Sequence, residues 1–458
     1  MPQWLTRHKW LFVTLLALLA VLALAAACGD DDEEDGGETA APTEEPTDGA
    51  TEAPTDAPTE KVQPSLPITI GQINSFTGDL SDFGVAHNNA ALLAVAEINA
   101  AGGVGGQPIE LVTGDTQTDP TVGTSEATRL IQVEGADFIV GALASGVTLP
   151  VAESVTGPNN VLQISAASTS PALTAADDND FLFRTTISDA AQGVVLADLV
   201  DELGIGSVCT MFINNAYGEG LSEIFADSFE GLGGTVTAQV PHESEQTTYA
   251  SELGACTDGE PEALAALAYP ESAGVFLREA VEGDAAGTYI WVDGTKSDTM
   301  FADLGWPEVF DGTQGTAPSA LDLPTGEAFK AAYEAEYGEL PPLPFVRETY
   351  DAIYLMALAA EKSLADDIDI RDALRAVANP DGAVVNPGSD NYADAVAKIA
   401  AGEEINYEGA AGPLDFDENG DVLIGAIETW HVDTAAQTLV TDKIFRVDLS
   451  TGEITEIQ

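Results

Sequence analysis

The sequence has few basic residues. Only 15 lysines and arginines stand against 77 aspartates and glutamates in 458 residues, which gives a formal net charge of −62 at pH 7. Proteins that bind nucleic acid neutralise its phosphates with lysine and arginine, so this balance excludes DNA and RNA as partners. The same acid excess makes the folded chain repel itself, and salt relieves that repulsion.

Signatures of catalysis and metal binding are also missing. The four histidines form no H-E-x-x-H pair, and neither G-x-S-x-G nor a phosphate-binding P-loop occurs. The segment AGGVGGQP fails the dinucleotide pattern because Pro108 occupies the last glycine. The segment DFDENGD, Asp415–Asp421, starts like a calcium loop, but Ala426 stands where glutamate is required, so we interpret it as an Asn-Gly hairpin turn. The sequence therefore predicts no enzyme activity, no cofactor and no metal site.

The N-terminal part carries no globular pattern. The basic cluster Arg7–Lys9 precedes an uncharged apolar run, Leu11–Leu24, which has the length of a signal-peptide core and is too short to span a bilayer comfortably. Alanines then lead to Cys28. The stretch that follows is acidic and rich in proline and threonine, with almost no large apolar side chain to offset the entropy of ordering. We therefore predict a signal peptide over 1–27 and a disordered tether over 28–66.

From Pro67 onward, short apolar runs alternate with amphipathic stretches. ITIGQINSFTG and IELVTGDTQ are typical of strands, and NNAALLAVAEINAAGG between them is typical of a helix; the alternation begins again after FLFRTTIS. This pattern predicts an α/β fold with two doubly wound parallel-sheet lobes, in which ligands bind at the carboxyl ends of the strands. The residues placed at those ends are Ser145, Ser165–Thr169, Tyr217, Tyr269 and Asp293.

Five segments in this part of the chain carry a family resemblance. They are the stretch from FTGDLSDFG to TQTDP, then FIVGALASGVTLPVA, ISAASTSPALT, AYGEGL and GPLDFDENGDV. In this order they resemble the type I solute-binding proteins of branched-chain amino acid ABC transporters. The resemblance implies the type I periplasmic-binding-protein fold, a three-segment hinge, a small-molecule ligand and an ABC permease as partner. It implies lobe 1 over 67–187 and 317–424, and lobe 2 over 188–316 and 425–458.

The boundary at Cys28 resembles the lipobox of bacterial lipoproteins. The resemblance implies that Cys28 is lipidated and that the protein is exported, either anchored to the outer face of the cell membrane or held in the periplasm. An ordinary signal peptide followed by an unmodified cysteine is the alternative.

The resemblance also implies which residues contact the ligand. Ser145 and Thr169 match positions that bind the amino acid carboxylate, Ala167 a position whose carbonyl binds the ammonium, and Asp293 an acid that pairs with the ammonium. A zwitterion taken out of water needs such donors and acceptors. As alternatives, the hydroxyls cap helices, Tyr217 is a packed aromatic and Asp293 is a turn residue. The full predicted set is Phe83, Ser145, Ala167, Ser168, Thr169, Tyr217, Tyr269 and Asp293.

The cysteines depart from the family pattern. Members commonly bridge two first-lobe cysteines, and the matching positions here hold Thr118 and Ala144. Besides Cys28 there remain Cys209 and Cys256, and in an exported domain such a pair favours a disulfide over two buried thiols.

The sequence as a whole predicts a binding protein that captures a branched-chain amino acid or a close analogue for an ABC importer. A ligand-binding sensor module for an amide, urea or an aromatic acid is the first alternative. A hydrolase on a similar scaffold is the second, although no nucleophile with a base in reach is found.

Overall fold

The computed structural model of the chain describes residues 61–321 and 323–458. The predicted signal peptide, Cys28 and most of the predicted tether lie outside these residues. Within the described part, no helix combines the length and the apolar character that a membrane crossing requires.

The folded unit begins at Val62, which corrects the predicted start at Pro67. The Val62 amide donates to the Asp369 carboxylate at 3.0 Å, and the Val62 carbonyl accepts from the Ile370 amide at 2.9 Å. The Val62 side chain also packs against the first hydrophobic core. Backbone pairing and apolar contact therefore hold the end of the predicted tether on the domain.

The first sheet has five parallel strands in the order β2-β1-β3-β4-β5. Its strands are β1 (Thr69–Asn74), β2 (Glu110–Asp115), β3 (Phe138–Val140), β4 (Leu162–Ser165) and β5 (Leu182–Arg184). The helices between them are α1 (Ser81–Ala100), α2 (Pro120–Gln132) and α3 (Ser145–Val151), the last continued by a π-turn over Ala152–Thr156. Strands followed by crossover helices give the doubly wound lobe predicted from the sequence.

The second sheet has eight strands in the order β15-β14-β13-β10-β9-β8-β6-β7. Strands β13 to β15 are the last three of the chain, from Ile424 to Glu456. Its parallel part is built from β6 (Ser207–Ile213), β7 (Thr235–His242), β8 (Ala263–Leu267), β9 (Thr288–Trp291) and β10 (Gln314–Ser319). The helices of this lobe are α4 (Asp189–Glu202), α5 (Ala216–Leu232), α6 (Ala250–Thr257), α7 (Pro270–Glu282) and α8 (Asp298–Leu304).

After β10 the chain returns to the first lobe. This part comprises α9 (Pro324–Tyr337), α10 (Val346–Asp366), α11 (Ile370–Val377), β11 (Ala383–Val385), α12 (Ser389–Ala400) and β12 (Ile405–Tyr407). The centre of α10 is buried in the first hydrophobic core together with α1 and the sheet strands. Close packing around α10 therefore joins the returning segment to the first lobe.

The last three strands complete the second sheet and run antiparallel. They are β13 (Ile424–Asp433), β14 (Thr438–Asp448) and β15 (Glu453–Glu456). The parallel part of the second sheet agrees with the prediction, and these three strands add an antiparallel edge that the sequence pattern did not show. Only a short turn separates β13 from β14, and such a connection joins antiparallel strands, whereas parallel strands need a long crossover.

The predicted Asn-Gly turn lies against the end of β5, where the Arg184 amide donates to the Gly420 carbonyl at 3.0 Å. Phe416 and Val422 form an isolated antiparallel bridge, and Gly420 between them has a φ of 77° that favours glycine. Next to that bridge, the buried Arg184 guanidinium donates to both oxygens of Asp421, at 2.5 and 2.8 Å. The turn thus fixes the end of β5 through a bidentate ion pair.

Candidate functional site

A small cavity lies between the two lobes, where strands of both sheets end. It measures about 20 Å³, room for roughly one water molecule. Six of the eight residues predicted to contact a ligand line it. The lining consists of Leu80, Phe83, Leu143, Ser145, Ala167, Tyr217, Tyr269, Asp293, Gly294 and Phe345. Residues from α1, the loops after β3 and β4, and three elements of the second lobe therefore meet at one point.

Two of the predicted hydroxyl residues of the first lobe, Ser145 and Thr169, are buried, and of these only Ser145 lines the cavity. Ser145 is the first residue of α3, and its Oγ accepts a hydrogen bond from the Ser170 amide at 3.3 Å. The Thr169 Oγ1 is buried and has no hydrogen-bond partner within the described residues. Neither side chain caps a helix, because α3 has no side-chain cap and Ser170 caps the short turn after Thr169. The capping alternative is therefore not what the structure shows.

Ser168 lies behind the cavity wall instead of in it. Its hydroxyl is 2.7 Å from the Thr148 hydroxyl and donates to the Leu143 carbonyl at 3.2 Å. Its amide donates to the Ser165 hydroxyl at 3.1 Å. These contacts join the loops after β3 and β4, so Ser168 supports the residues that line the cavity.

Two tyrosines form the second-lobe wall. The Tyr217 and Tyr269 rings are stacked, with centroids 5.4 Å apart and planes at 10°. Asn215 caps α5 by accepting from the Tyr217 and Gly218 amides, at 3.0 and 3.2 Å, and its side-chain amide donates to the Tyr269 hydroxyl at 3.3 Å. A helix cap therefore fixes both rings, and Tyr217 is more than a packed aromatic because its hydroxyl also binds Asp293.

Asp293 stands just after β9 and is almost wholly buried. Its Oδ1 accepts from the Tyr217 hydroxyl at 2.7 Å and from the Gln192 side-chain amide at 2.8 Å. Burial raises the pKa of Asp293 to about 6, although the hydrogen bonds from Tyr217 and Gln192 lower it. At neutral pH the cavity therefore contains a desolvated carboxylate.

A second carboxylate, which sequence reasoning missed, stands beside Asp293. Asp189 is the first residue of α4 and fully buried, and neither carboxylate oxygen has a hydrogen-bond partner in the part of the chain that the structure describes. Burial raises the pKa of Asp189 well above its usual range, and the charge of Asp293 raises it further. Thr169 and Arg184 lower this pKa, but the Thr169 hydroxyl is not in normal hydrogen-bond geometry and Arg184 is paired with Asp421.

The sequence did contain a signal for Asp189. It directly follows the segment FLFRTTIS, after which the alternation of helices and strands begins again. An acid in the first turn of a helix is commonly explained by its interaction with the helix dipole. Asp189 was therefore not recognised as a candidate site residue. Sequence reasoning also missed Gln192, which lies within α4, and Phe345, which directly precedes α10. Neither residue follows a strand, and the strand pattern selected only residues after strands.

Three side-chain hydrogen bonds shorter than 3.0 Å join the lobes around the cavity, besides a longer one of 3.3 Å from the Ser81 hydroxyl to Glu271. The Ser170 hydroxyl donates to the Ala216 carbonyl at 2.6 Å. The Ser244 and Ser297 hydroxyls donate to Asp79 and Asp82, at 2.8 and 2.5 Å. Because each bond pairs one residue from each lobe, all three break if the lobes separate.

The second lobe also contains a disulfide, between Cys209 on β6 and Cys256 on α6, with Cα atoms 5.6 Å apart. No group of three or more metal-ligating side chains occurs in residues 61–321 and 323–458.

Comparison with known proteins identifies the family. A profile described as "Periplasmic binding protein" matches residues 67–436, most of the chain. The chain belongs to the periplasmic binding protein family. The resemblance to the type I solute-binding proteins of branched-chain amino acid transporters is thereby confirmed, and the chain is a solute-binding protein of that type.

Two curated relatives span most of this chain. The chemotactic signal transduction system substrate-binding protein BasB of Halobacterium salinarum is 27% identical over 383 residues, covering 81% of this chain and 89% of that protein. Leu/Ile/Val-binding protein homolog 3 of Brucella melitensis is 27% identical over 362 residues, covering 78% and 88%. Both are named as binding proteins.

Solved structures support the fold. The leucine binding protein LivK from Thermotoga maritima superposes with a TM-score of 0.69 at 24% identity, covering 83% of this chain and 99% of that one. A solute binding protein of an ABC transporter from Rhodopseudomonas palustris, in complex with 3,4-dihydroxybenzoic acid, gives 0.65 at 20% identity, covering 83% and 98%. The predicted two-lobed α/β fold is therefore confirmed.

Proposed function

We propose that this protein captures an amino acid, branched-chain or a close analogue, between its lobes and delivers it to an ABC importer. The observation that carries the proposal is the buried carboxylate of Asp293, with that of Asp189 beside it, in a cavity that Ser145 also lines; Thr169 is next to Asp189, whose amide donates to the Thr169 carbonyl at 2.8 Å. Two carboxylates that are buried side by side repel each other, and a cation bound between them stabilises their ionised forms. A ligand ammonium supplies that cation.

The opposite end of the ligand is an anion. The Thr169 hydroxyl lacks a partner in the described structure, and the Ser145 hydroxyl accepts one hydrogen bond and keeps a proton to donate. Two hydroxyl donors on the first lobe and two carboxylates at the second-lobe side match the two charged groups of a zwitterion. The remaining wall, formed by Leu80, Phe83, Leu143 and Phe345, is apolar and favours an apolar side chain.

Binding includes a movement of the lobes. A cavity of about 20 Å³ is roughly an order of magnitude smaller than a pocket for a small molecule. The ligand therefore enters while the lobes are apart, and closure around it forms the interlobe hydrogen bonds described above. The permease then distinguishes the closed, loaded protein from the open one.

A sensory role is the alternative, since one relative is named as a substrate-binding protein of a chemotactic system. The cleft chemistry is the same in both cases. Pull-down of the purified protein with membranes of the source cell separates them, because an importer and a receptor are different partners. Its relatives are named as binding proteins, and we propose no catalytic step.

We further propose that Cys28 carries a lipid and that the acidic segment after it tethers the domain to the outside of a membrane. Substitution Cys28→Ser then releases the exported protein into the soluble fraction. Retention of that variant in the membrane fraction would contradict the anchor.

Calorimetric titration of the purified protein tests the amino acid assignment. Leucine, isoleucine, valine, acetamide, urea and benzoate serve as ligands. We expect saturable binding of at least one branched-chain amino acid, weakened about 100-fold in Asp293→Asn, which loses a charged hydrogen bond in a buried site. Ser145→Ala should weaken it about tenfold.

Two exposed positions provide matched controls. Asp227→Asn on α5 and Ser251→Ala on α6 make the same chemical changes on the surface and should leave the affinity unchanged. Binding of an amide or benzoate without any amino acid would show that the fold is right and the ammonium site is wrong.

A further inference from the structure

A second, larger cavity lies beside the candidate amino acid site and is separated from it by Phe345, which lines both. It measures about 350 Å³, within the range of pockets that hold a small organic molecule. Its walls come from both lobes: Lys296 follows β9 in the second lobe, Lys330 lies on α9, and Arg347 lies on α10.

Basic residues outnumber acidic residues in the lining of this cavity, whereas the protein as a whole is strongly acidic. Three of the chain's 15 basic residues line it, together with two carboxylates, Glu348 and Glu428. Lys296 is buried and ion-paired with Glu428, so these two charges cancel. Two cations therefore face one remaining carboxylate in a protein with a formal net charge of −62.

Neither of the two remaining cations makes an ion pair in the described residues, although Arg347 lies near enough to Glu348 and Asp351 to lower the pKa of each, which burial raises. No ion pair or side-chain hydrogen bond joins Lys330 or Arg347 to another residue within 61–321 and 323–458. The Arg347 Nε is wholly buried and has no hydrogen-bond acceptor there. A buried guanidinium nitrogen without an acceptor is costly, and an anionic ligand group would satisfy it.

Part of the remaining wall is apolar, and Ser319 and Thr441 add polar groups to it. Leu340 to Phe345 is a proline-rich segment that lines one side of the cavity. An inorganic anion would leave this surface unused, whereas a ligand with an apolar body and one charged end would contact both parts of the wall.

We propose that this cavity is a second ligand site, which takes a small organic monocarboxylate. The carboxylate pairs with Arg347 and Lys330, and the apolar body lies against the Leu340–Phe345 segment. The site is distinct from the candidate amino acid cavity and does not depend on the function proposed for it.

Calorimetric titration with sodium benzoate and sodium hexanoate tests this site, at constant ionic strength set by sodium chloride. We expect saturable binding of one carboxylate per protein and no binding of benzamide, which has nearly the shape of benzoate without its charge. Arg347→Gln and Lys330→Gln should each weaken the binding about tenfold. Lys330 is exposed, so its variant carries the test if Arg347→Gln does not fold.

Lys398→Gln is the matched control, because it removes one positive charge from α12, away from the cavity. It should bind benzoate as the unaltered protein does. Equal weakening in this control, equal binding of benzamide, or no saturable binding of either acid would overturn the proposal. Benzoate binding that is lost in Ser145→Ala and unchanged in Arg347→Gln would also overturn it, since benzoate would then occupy the amino acid cavity. Leucine titrations of the same variants report on the proposed function separately.

Discussion

The Tyr217 hydroxyl donates a 2.7 Å hydrogen bond to the Asp293 carboxylate. The same hydroxyl accepts from the Gly294 amide at 3.3 Å, and the Tyr217 ring stacks on Tyr269. One side chain therefore orients the carboxylate, contacts the backbone beside it and forms part of the cavity wall. Burial raises the pKa of Asp293, and this hydrogen bond is the largest influence that lowers it.

Tyr217→Phe should weaken amino acid binding about tenfold, because it removes a hydrogen bond to a charged group and keeps the stacked ring. Calorimetry measures the change. Tyr392→Phe is the matched control, since its buried hydroxyl has no hydrogen-bond partner in the described residues. An unchanged affinity in Tyr217→Phe would mean that Asp293 is not oriented by this bond.

The affinity for an amino acid should fall as the pH decreases below about 6. Asp293 has a pKa raised to about 6 in the folded protein, and an ammonium is held by the ionised carboxylate. Each pH unit below this value should lower the association constant up to about tenfold, because binding then releases a proton. Titrations from pH 4.5 to 8 check the profile. A profile that is flat down to pH 4.5 would exclude Asp293 as the ammonium partner.

The unliganded protein should lose stability as the pH rises from about 4 to 6. A carboxyl group whose pKa is higher in the folded than in the unfolded state binds more protons when folded, so raising the pH through this window favours unfolding. Asp293→Asn should remove part of that loss and raise the midpoint of thermal unfolding at pH 7. The exposed control Asp227→Asn should not, and a lower midpoint in Asp293→Asn would contradict the argument.

Gly146→Ala should hold the lobes apart. A Cβ at position 146, on first-lobe α3, would lie 2.9 Å from the Asn215 Cβ of the second lobe. The clash is absent when the lobes separate, so the variant should show a larger radius of gyration in solution scattering and weaker ligand binding. In Gly274→Ala, on α7, the new Cβ meets nothing within 4 Å, so this control should keep both properties. Identical scattering of the two variants would contradict the prediction.

Replacing both Cys209 and Cys256 by serine should lower the free energy of unfolding by about 4 kcal/mol, the loop-closure value for a separation of 47 residues. Denaturant unfolding of the oxidised protein and the double variant measures the difference. Reductant should lower the stability of the unaltered protein and leave the variant unchanged. Equal stabilities would show that the cross-link does not constrain the unfolded chain.

The sequence by itself determined the alternation of strands and helices, because short apolar runs and amphipathic stretches have different periods along the chain. It also placed Ser145, Ala167, Tyr217, Tyr269 and Asp293 at the ends of strands, where the two sheets face each other. These inferences succeeded because each depends on residues that are neighbours in the chain.

Only the tertiary structure decided which groups meet across long distances in sequence. Asp189 and Asp293 are 104 positions apart, and nothing in either segment shows that both carboxylates are buried together. The sequence also did not show that the second sheet ends in an antiparallel edge, or that cations line the second cavity. Burial, desolvation and the pairing of charges depend on packing between segments, which local patterns do not encode.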